Sequence, residues 1–274
     1  MRPLERHRAI LSLVGSQGDL TVGEACRKLG ISQATARRDF VELVSRGVVG
    51  KTWGGIQRNS GTTSPQVGDM MPSALRQTLH PEEKERIARR ACELICDGDA
   101  LVIDGGTTTL CMAPHLANRP VRILTNSILI AHRIDQLRSV PNGAEVFLTG
   151  GFLYPGSGLL VGPEAVRSLE QYHPRWAFLS VGGLDANGTT NTNQLVVEGE
   201  RAMIRAARES VVLADSSKWT QRDMVRLCAW NEVSTLITES PPPEPLARSL
   251  GESVSVLLPH GTATVPILSG GASH

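Results

Sequence analysis

Aromatic side chains are scarce: four Trp, two Tyr and four Phe make up 4% of 274 residues. A protein that holds single-stranded nucleic acid by stacking bases on rings needs more of them, which argues against that class. No run approaches 18 apolar residues, so no membrane-spanning helix and no membrane partner are expected. The first residues, MRPLERHRAILSLV, carry charge from the start and lack a small-residue cleavage site, and so do not read as a secretory signal. The cysteines at 26, 92, 96, 111 and 228 include no CxxC pair. Such an odd, scattered set predicts reduced, mostly buried thiols in a cytoplasmic protein. His80, His115, His132 and His173 show no HxxxH or HExxH spacing, and Cys92 and Cys96 lack partner ligands, so neither a metal site nor a cofactor is expected.

Net charge is also nearly lacking, at +1, but its distribution is uneven. Residues 1–58 hold ten Lys and Arg against five Asp and Glu, whereas the remainder holds eighteen against twenty-two. That asymmetry predicts a basic module joined to a mildly acidic one. Lysine is confined to Lys28, Lys51, Lys84 and Lys218.

The chain divides into a small module over 1–56, a Gly/Ser/Thr/Pro-rich linker over 57–75, a large domain over 76–258 and a flexible tail over 259–274. In the large domain, short apolar runs at 100–104, 122–125, 145–151, 176–183, 210–217, 235–238 and 254–258 alternate with helical patterns such as 84–95. This alternation predicts an α/β fold with a mostly parallel sheet covered on both faces. Polar and Gly residues repeatedly follow the strands, and ligands of such sheets bind beyond the strands' carboxyl ends.

In the small module, a helix over 5–15 is expected to break at Gly15 and Gly18. Thr21-Val22-Gly23-Glu24 spells a capping box for a second helix, which ends at Gly30. Ser32 caps a third helix, and VVGKTWGG (48–55) reads as a two-stranded wing. Two helices joined by a glycine turn form a helix-turn-helix, whose second helix enters the major groove of double-stranded DNA. Ser32, Gln33, Thr35, Arg37 and Arg38 lie in its first turns, and Lys51 in the wing is placed for a phosphate. Arginine forks onto guanine and glutamine onto adenine. An isolated Arg37-Arg38 pair would read as solvated charge; the ordered set of caps, turn and wing in one basic segment favours DNA.

The turn Asp104-Gly105-Gly106-Thr107-Thr108-Thr109 follows a strand and opens a helix. Glycines, helix N–H groups and hydroxyls suit an anion, so the turn reads either as a phosphate cradle or as a tight turn with capping threonines. It lacks both the Lys of a Walker A loop and GxGxxG. Thr125, Asn126, Gly150, Gly151, Asp185, Asp215 and Lys218 stand at the other strand ends and are expected on the same rim. A cradle, a cation and several acceptors suit a phosphorylated sugar. Asp104, Asp185 and Lys218 are also chemically capable of isomerisation, so a sugar-phosphate isomerase with an appended DNA module is the alternative.

SQATARRDFVELVSRGVVGKTWGG (32–55) resembles the signature of the DeoR family of bacterial transcriptional regulators, through Ser32, Thr35, Arg37, Arg38, Asp39, Gly54 and Gly55. Asp104-x-Gly-Thr-Thr, Thr125-Asn126, Gly150-Gly151, Asp185 and Asp-Ser-Ser-Lys (215–218) resemble the sensor domain of that family, which is similar in fold to ribose-5-phosphate isomerase. The resemblance implies a non-enzymatic regulator, acting as a repressor of carbohydrate metabolism that a sugar phosphate releases from operator DNA. With so small a reading module, a homodimer or homotetramer is expected. Several positions depart from the family pattern: Ala36 and Phe40 replace the usual Ile or Val and Leu, Trp53 falls where a histidine is frequent, and before Arg201 the family's Glu-Ala-x-Val-Lys places Val196 at the glutamate, with Glu198 the nearest acid, and Glu200 at the lysine.

Overall fold

The computed structural model describes residues 3–45, 49–52, 54–57, 76–251, 253–259 and 261–262. Trp53, nearly all of the expected linker and residues 263–274 lie outside the described residues. Contacts divide the chain into two units, Met1–Pro81 and Glu82–His274.

The first unit contains α1 (Pro3–Gln17), β1 (Asp19–Thr21), α2 (Val22–Leu29), α3 (Gln33–Ser45), β2 (Gly50–Thr52) and β3 (Gly55–Gln57). Helix α1 continues past Gly15, because its apolar positions Ile10, Leu11 and Val14 remain anchored in the core. At Thr21 the capping box forms: the Glu24 N–H donates to Thr21 Oγ1 at 3.3 Å, and the Thr21 N–H donates to Glu24 Oε2 at 2.9 Å. Gly30 adopts the left-handed conformation (φ 64°, ψ 33°) that reverses the chain after α2, and its N–H donates to Cys26 O at 3.0 Å. The expected two-stranded wing is one part of a three-stranded antiparallel sheet, ordered β1-β3-β2. Strand β1 is only three residues long, too short for an alternating pattern to show in sequence. Ala36 and Phe40 are both buried against α1 and β3 residues in one cluster.

Helix α4 (Pro81–Cys92) starts on the last residue of the first unit and otherwise belongs to the second, which continues with β4 (Ala100–Ile103), α5 (Thr107–Leu110), α6 (Ala113–Leu116), β5 (Arg122–Thr125), α7 (Ile128–Leu137) and β6 (Glu145–Leu148). A hairpin, β7 (Phe152–Tyr154) and β8 (Leu159–Val161), precedes α8 (Pro163–Leu169) and β9 (Trp176–Ser180). Next come β10 (Gly183–Asp185), β11 (Gly188–Asn191), α9 (Gln194–Ala206), β12 (Glu209–Leu213), β13 (Val225–Cys228), β14 (Thr235–Ile237), α10 (Glu244–Leu250), β15 (Ser255–Leu258) and β16 (Gly261–Thr262). The main sheet is ordered β16-β15-β14-β12-β9-β4-β5-β6 and is parallel except at β15–β16. Gly261–Thr262 therefore pairs as a strand within the segment expected to be tail.

Alternation along the strands builds a core on each face. Leu101, Ile103, Ile123 and Phe178 pack with Ile87, Ala91 and Ile130 on one side. Val102, Leu124, Ala177 and Leu179 pack with Ala202 and Met203 on the other. Each fully buried side chain of this kind contributes roughly 1.5–3 kcal/mol. The expected apolar runs extend past the strands; β6, β9 and β12 end at Leu148, Ser180 and Leu213, where polar or small residues leave the sheet. Because the neighbours are parallel, those ends share one edge. Of the cysteines, Cys92 and Cys228 are buried, Cys26 and Cys111 half-buried and Cys96 exposed, so fewer thiols are interior than expected. Burial pushes the Cys92 thiol up to about 12 and that of Cys228 to about 11, which keeps both protonated and unreactive.

Candidate functional site

Helix α3 presents Gln33, Ala34, Arg37, Arg38 and Val41 to solvent, while Ala36, Asp39, Phe40 and Leu43 face inward. The sequence-predicted residues thus share one exposed surface, with the two arginines side by side. Val41 is 69% exposed, the second-largest exposure among the large apolar side chains described, and a thymine methyl is a suitable contact for it. Ser32 and Thr35 have a structural role, since the Thr35 N–H donates to Ser32 Oγ at 3.2 Å and the two hydroxyls lie 2.8 Å apart. Lys51 is exposed on β2.

Asp39 shows what holds this helix in place. Arg6 of α1 forks onto it, with Nε 2.8 Å from Oδ2 and an Nη 3.0 Å from Oδ1. His7 Nε2 lies 3.2 Å from Oδ1 and 3.8 Å from Glu42 Oε2. Burial pushes the Asp39 carboxyl up, but the Arg6 and His7 hydrogen bonds and charges more than offset it, and the net shift is downward. His7, Asp39 and Glu42 are close enough to hold a metal, yet Asp39 already has both oxygens engaged by Arg6.

In the second unit, the turn after β4 is stitched together by buried polar groups. Asn126, just after β5, accepts the Gly105 N–H on Oδ1 at 2.9 Å and donates from Nδ2 to Asp104 Oδ1 at 3.3 Å. Ser180, the last residue of β9, donates to Asp104 Oδ2 at 3.1 Å. A Cβ on Gly106 would lie 1.7 Å from Ser180 Oγ, so glycine is required there by the neighbouring strand as much as by any ligand. Thr109 Oγ1 accepts the Gly106 N–H at 2.8 Å and donates to Gly106 O at 3.1 Å. Thr125 Oγ1 donates to Ile103 O at 2.6 Å. Thr109 and Thr125 are therefore buried supports for the turn. Leu110 is the first residue of α5 whose N–H meets a backbone acceptor, Gly106 O at 3.0 Å, and the three amides before it face the end of the helix.

Sequence reasoning missed Ser180, which meets Asp104, and the hydrogen-bonded pair Asn191 and Glu200. Glu200 is completely buried on α9, where Asn191 Nδ2 donates to its Oε1 at 2.6 Å and Oε2 has no hydrogen-bond partner. Burial and then the Asp104 charge push the Glu200 carboxyl well above the usual range, against the Asn191 hydrogen bond and Arg201. Burial also raises Asp104, against the Ser180 and Asn126 hydrogen bonds. One sequence signal marked Glu200: it interrupts the apolar stripe Val196, Val197, Ala202, Met203.

The other predicted residues separate. Lys218 is half-buried in the 3-10 turn Ser216–Lys218 after β12, and no acid lies within ion-pair range of it among the described residues. Asp215 caps that turn: Oδ1 accepts the Ser217 N–H at 3.1 Å and the Ser217 hydroxyl, and Oδ2 is buried without a partner. Gly150 and Gly151 turn the chain from β6 into the β7–β8 hairpin, which returns to Asn126 through a Leu160 N–H to Asn126 O bond of 2.7 Å. Asp185 lies elsewhere, in the tight β10–β11 turn, with the Asn187 N–H at 2.7 Å and Arg222 Nε at 3.4 Å. It lines a groove of about 460 Å³ with Thr190, Arg222, Asp223 and Arg226, on the side sheet β10-β11-β13.

Residues 6–62 match the DeoR-like helix-turn-helix domain, and residues 79–240 match the DeoR C-terminal sensor domain. The chain belongs to the DeoR family. It is a DNA-binding transcriptional regulator with a sugar-phosphate sensor domain, rather than an enzyme. Similar relatives include the HTH-type transcriptional regulator UlaR of Shigella sonnei, 31% identical over 259 residues that span 94% of this chain and 99% of the relative. UlaR of Escherichia coli K12 is 30% identical with the same coverage. Among solved structures, ribose 5-phosphate isomerase A of Methanocaldococcus jannaschii aligns with TM-score 0.35 and 18% identity over 51% of this chain and 55% of that one. The Pyrococcus horikoshii translation initiation factor eIF-2B aligns with TM-score 0.44 and 12% identity over 85% and 86%. No helix among the described residues is long and apolar enough to cross a membrane.

Proposed function

We propose that this DeoR-family regulator represses a carbohydrate-metabolism operon in the cytoplasm and that a phosphorylated sugar releases it from its operator. Gln33, Arg37 and Arg38 read base edges, Ser32 and Thr35 fix the start of α3 near the backbone, and Lys51 contacts a phosphate. The effector lies along the carboxyl edge of the main sheet. What supports this reading is the shared direction of three strands of the main sheet, β4, β5 and β12, whose carboxyl ends lead into the Asp104–Thr109 turn, Asn126 and the turn that carries the half-buried Lys218. The amides at the start of α5 receive the phosphate, Lys218 supplies the counter-charge, and Asp104 and Asn126 meet hydroxyls. Thr109 and Thr125 support the turn, Gly150-Gly151 places the hairpin over it, and Asp215 holds the Lys218 turn. Asp185, tied to Arg222 in its own groove on the side sheet, is left out of this site.

The expected result for Lys218→Ala is operator binding at wild-type strength with loss of release by the effector. Fluorescence anisotropy on upstream DNA, with phosphosugars first ranked by thermal shift, measures both. A variant released at wild-type sugar concentrations removes Lys218 from the site.

The regulator acts as a homodimer or homotetramer, because one winged module buries too little DNA for operator specificity. The surface offered to the second copy includes Phe147 and Leu148 on the edge strand β6 and Phe152 and Leu153 on the adjoining hairpin, all exposed. Phe152→Asp with Leu153→Asp is expected to lower the assembly state in sedimentation and weaken operator binding together; an unchanged mass places the interface elsewhere.

A further inference from the structure

The outward face of α3 holds one side chain that neither solvent nor helix formation favours. Both acids of α3 are drawn to the other side: Asp39 is buried on Arg6, and Glu42 is half-buried with Oε2 3.8 Å from His7 Nε2. The exposed positions are Gln33, Ala34, Arg37, Arg38 and Val41. Among the described residues this face therefore carries two cations and no acid, which suits a polyanion. Val41 stands one turn past the arginines, four residues after Arg37 and three after Arg38, and is 69% exposed. At about 100° per residue it projects between the two, on the same line as Ala34 two turns earlier.

Single exposed apolar side chains are ordinary on a protein surface; this one lies in the middle of the face that carries the arginines. Valine is also a poor choice for a solvent-facing helix position, because its branched Cβ lowers helix propensity below that of Ala, Lys, Arg or Gln. A phosphate offers it nothing, since backbone contacts are made by donors. The same branching fixes χ1 in a helix, so two methyl groups point in one direction with little entropy left to lose. The base-edge group that such a pair can meet is the C5 methyl of thymine in the major groove. Three to four residues of helix span about 4.5–6 Å, or between one and two base steps of about 3.4 Å.

We propose that Val41 is a specificity-determining residue, which reads a thymine through its methyl group close to the guanine held by Arg37 or Arg38. Helix α3 then lies lengthwise in the major groove and still meets base edges in its third turn, where its first turns alone would otherwise do the reading. The inference rests on the proposed placement of α3 in the groove and adds the identity and register of one further base.

The test uses duplexes that the full chain enriches from a random library. Each thymine of the enriched site is replaced singly by deoxyuridine, which removes the methyl group and keeps every hydrogen-bonding atom. Each guanine is replaced by 7-deazaguanine, which removes N7. Fluorescence anisotropy at fixed salt should show at least one thymine whose replacement weakens wild-type binding about threefold or more, the scale of one buried methyl group. A guanine sensitive to the loss of N7 should lie within about three base pairs of it. Val41→Ala should bring the thymine-to-uracil ratio at that position to within about 1.5-fold. Thermal melts and sedimentation show whether that variant folds and assembles as the wild type does. The inference is overturned if no thymine is sensitive to its methyl group, if the ratio survives Val41→Ala, or if the sensitive thymine lies farther from every sensitive guanine. A changed assembly state in Val41→Ala with an unchanged ratio assigns the side chain to a protein contact and overturns it as well. Those outcomes leave the placement of α3 standing as long as Arg37→Ala with Arg38→Ala abolishes the guanine effect. Wild-type affinity in that double variant sinks the placement and the thymine reading together.

Discussion

Replacing Arg37 and Arg38 together with alanine is expected to weaken operator binding by about 2–6 kcal/mol, since each bidentate base contact contributes roughly 1–3 kcal/mol. The melting temperature should hardly change, because both side chains are exposed on α3. Fluorescence anisotropy at fixed salt separates this from the milder effect of Lys51→Ala. The lysine touches sequence-independent charge, so its loss should weaken binding to all DNA and lower the slope of log affinity against log salt by about 1. Operator affinity unchanged in the double variant would place a surface other than α3 in the groove.

The arginines can be found in the sequence because the signals around them are local. The Thr21–Glu24 capping box, the left-handed Gly30 and the Ser32 cap each act within four residues, and together they set the phase of α3 and its outward face. The parallel sheet is legible for a similar reason, since each strand carries its own apolar run. What stays hidden depends on contacts between distant segments. Ser180 meets Asp104 across 76 residues, and nothing near Ser180 marks it. Asp185 follows a strand just as Asp104 does, which groups the two in sequence; the chain, however, leaves the main sheet after Ser180 and forms a second one, which carries Asp185 to Arg222. Glu200 stands out in sequence as an exception to the family pattern, but burial and its orphan oxygen are properties of the packed helix α9.

Asp39→Asn is the second large effect. Arg6 reaches Asp39 across 33 residues and clamps α1 to the inner side of α3, so removing the carboxylate should destabilise the winged module by about 2 kcal/mol. That is less than the ~3–5 kcal/mol of a wholly buried pair, because Arg6 retains some solvent. Operator affinity should fall as well, although Asp39 faces away from DNA, because the outward arginines lose their fixed pose. A double-mutant cycle with Arg6→Met reads the coupling directly; additive effects would deny the clamp. The carboxyl lies below its ordinary value in the folded chain, so protonation favours unfolding. Its stabilising contribution is complete above the ordinary range of about 4 and drains away as the pH falls through the lowered value. Thermal melts between pH 6 and pH 3 should show that loss in the wild type and a flatter profile in Asp39→Asn.

The arrangement of thiols offers a practical handle. Cys96 lies just before β4, tied through its N–H to Asp99 at 2.9 Å, and so occupies the amino-terminal end of the sheet, opposite the edge that carries Asp104 and Asn126. It is exposed, whereas Cys92 and Cys228 are interior and held protonated. Brief treatment with a maleimide dye at neutral pH should therefore mark Cys96 ahead of the other four. A fluorophore there reports on the sensor's tumbling and on its distance from labelled DNA without standing in the path of an incoming ligand, and no cysteine has to be engineered.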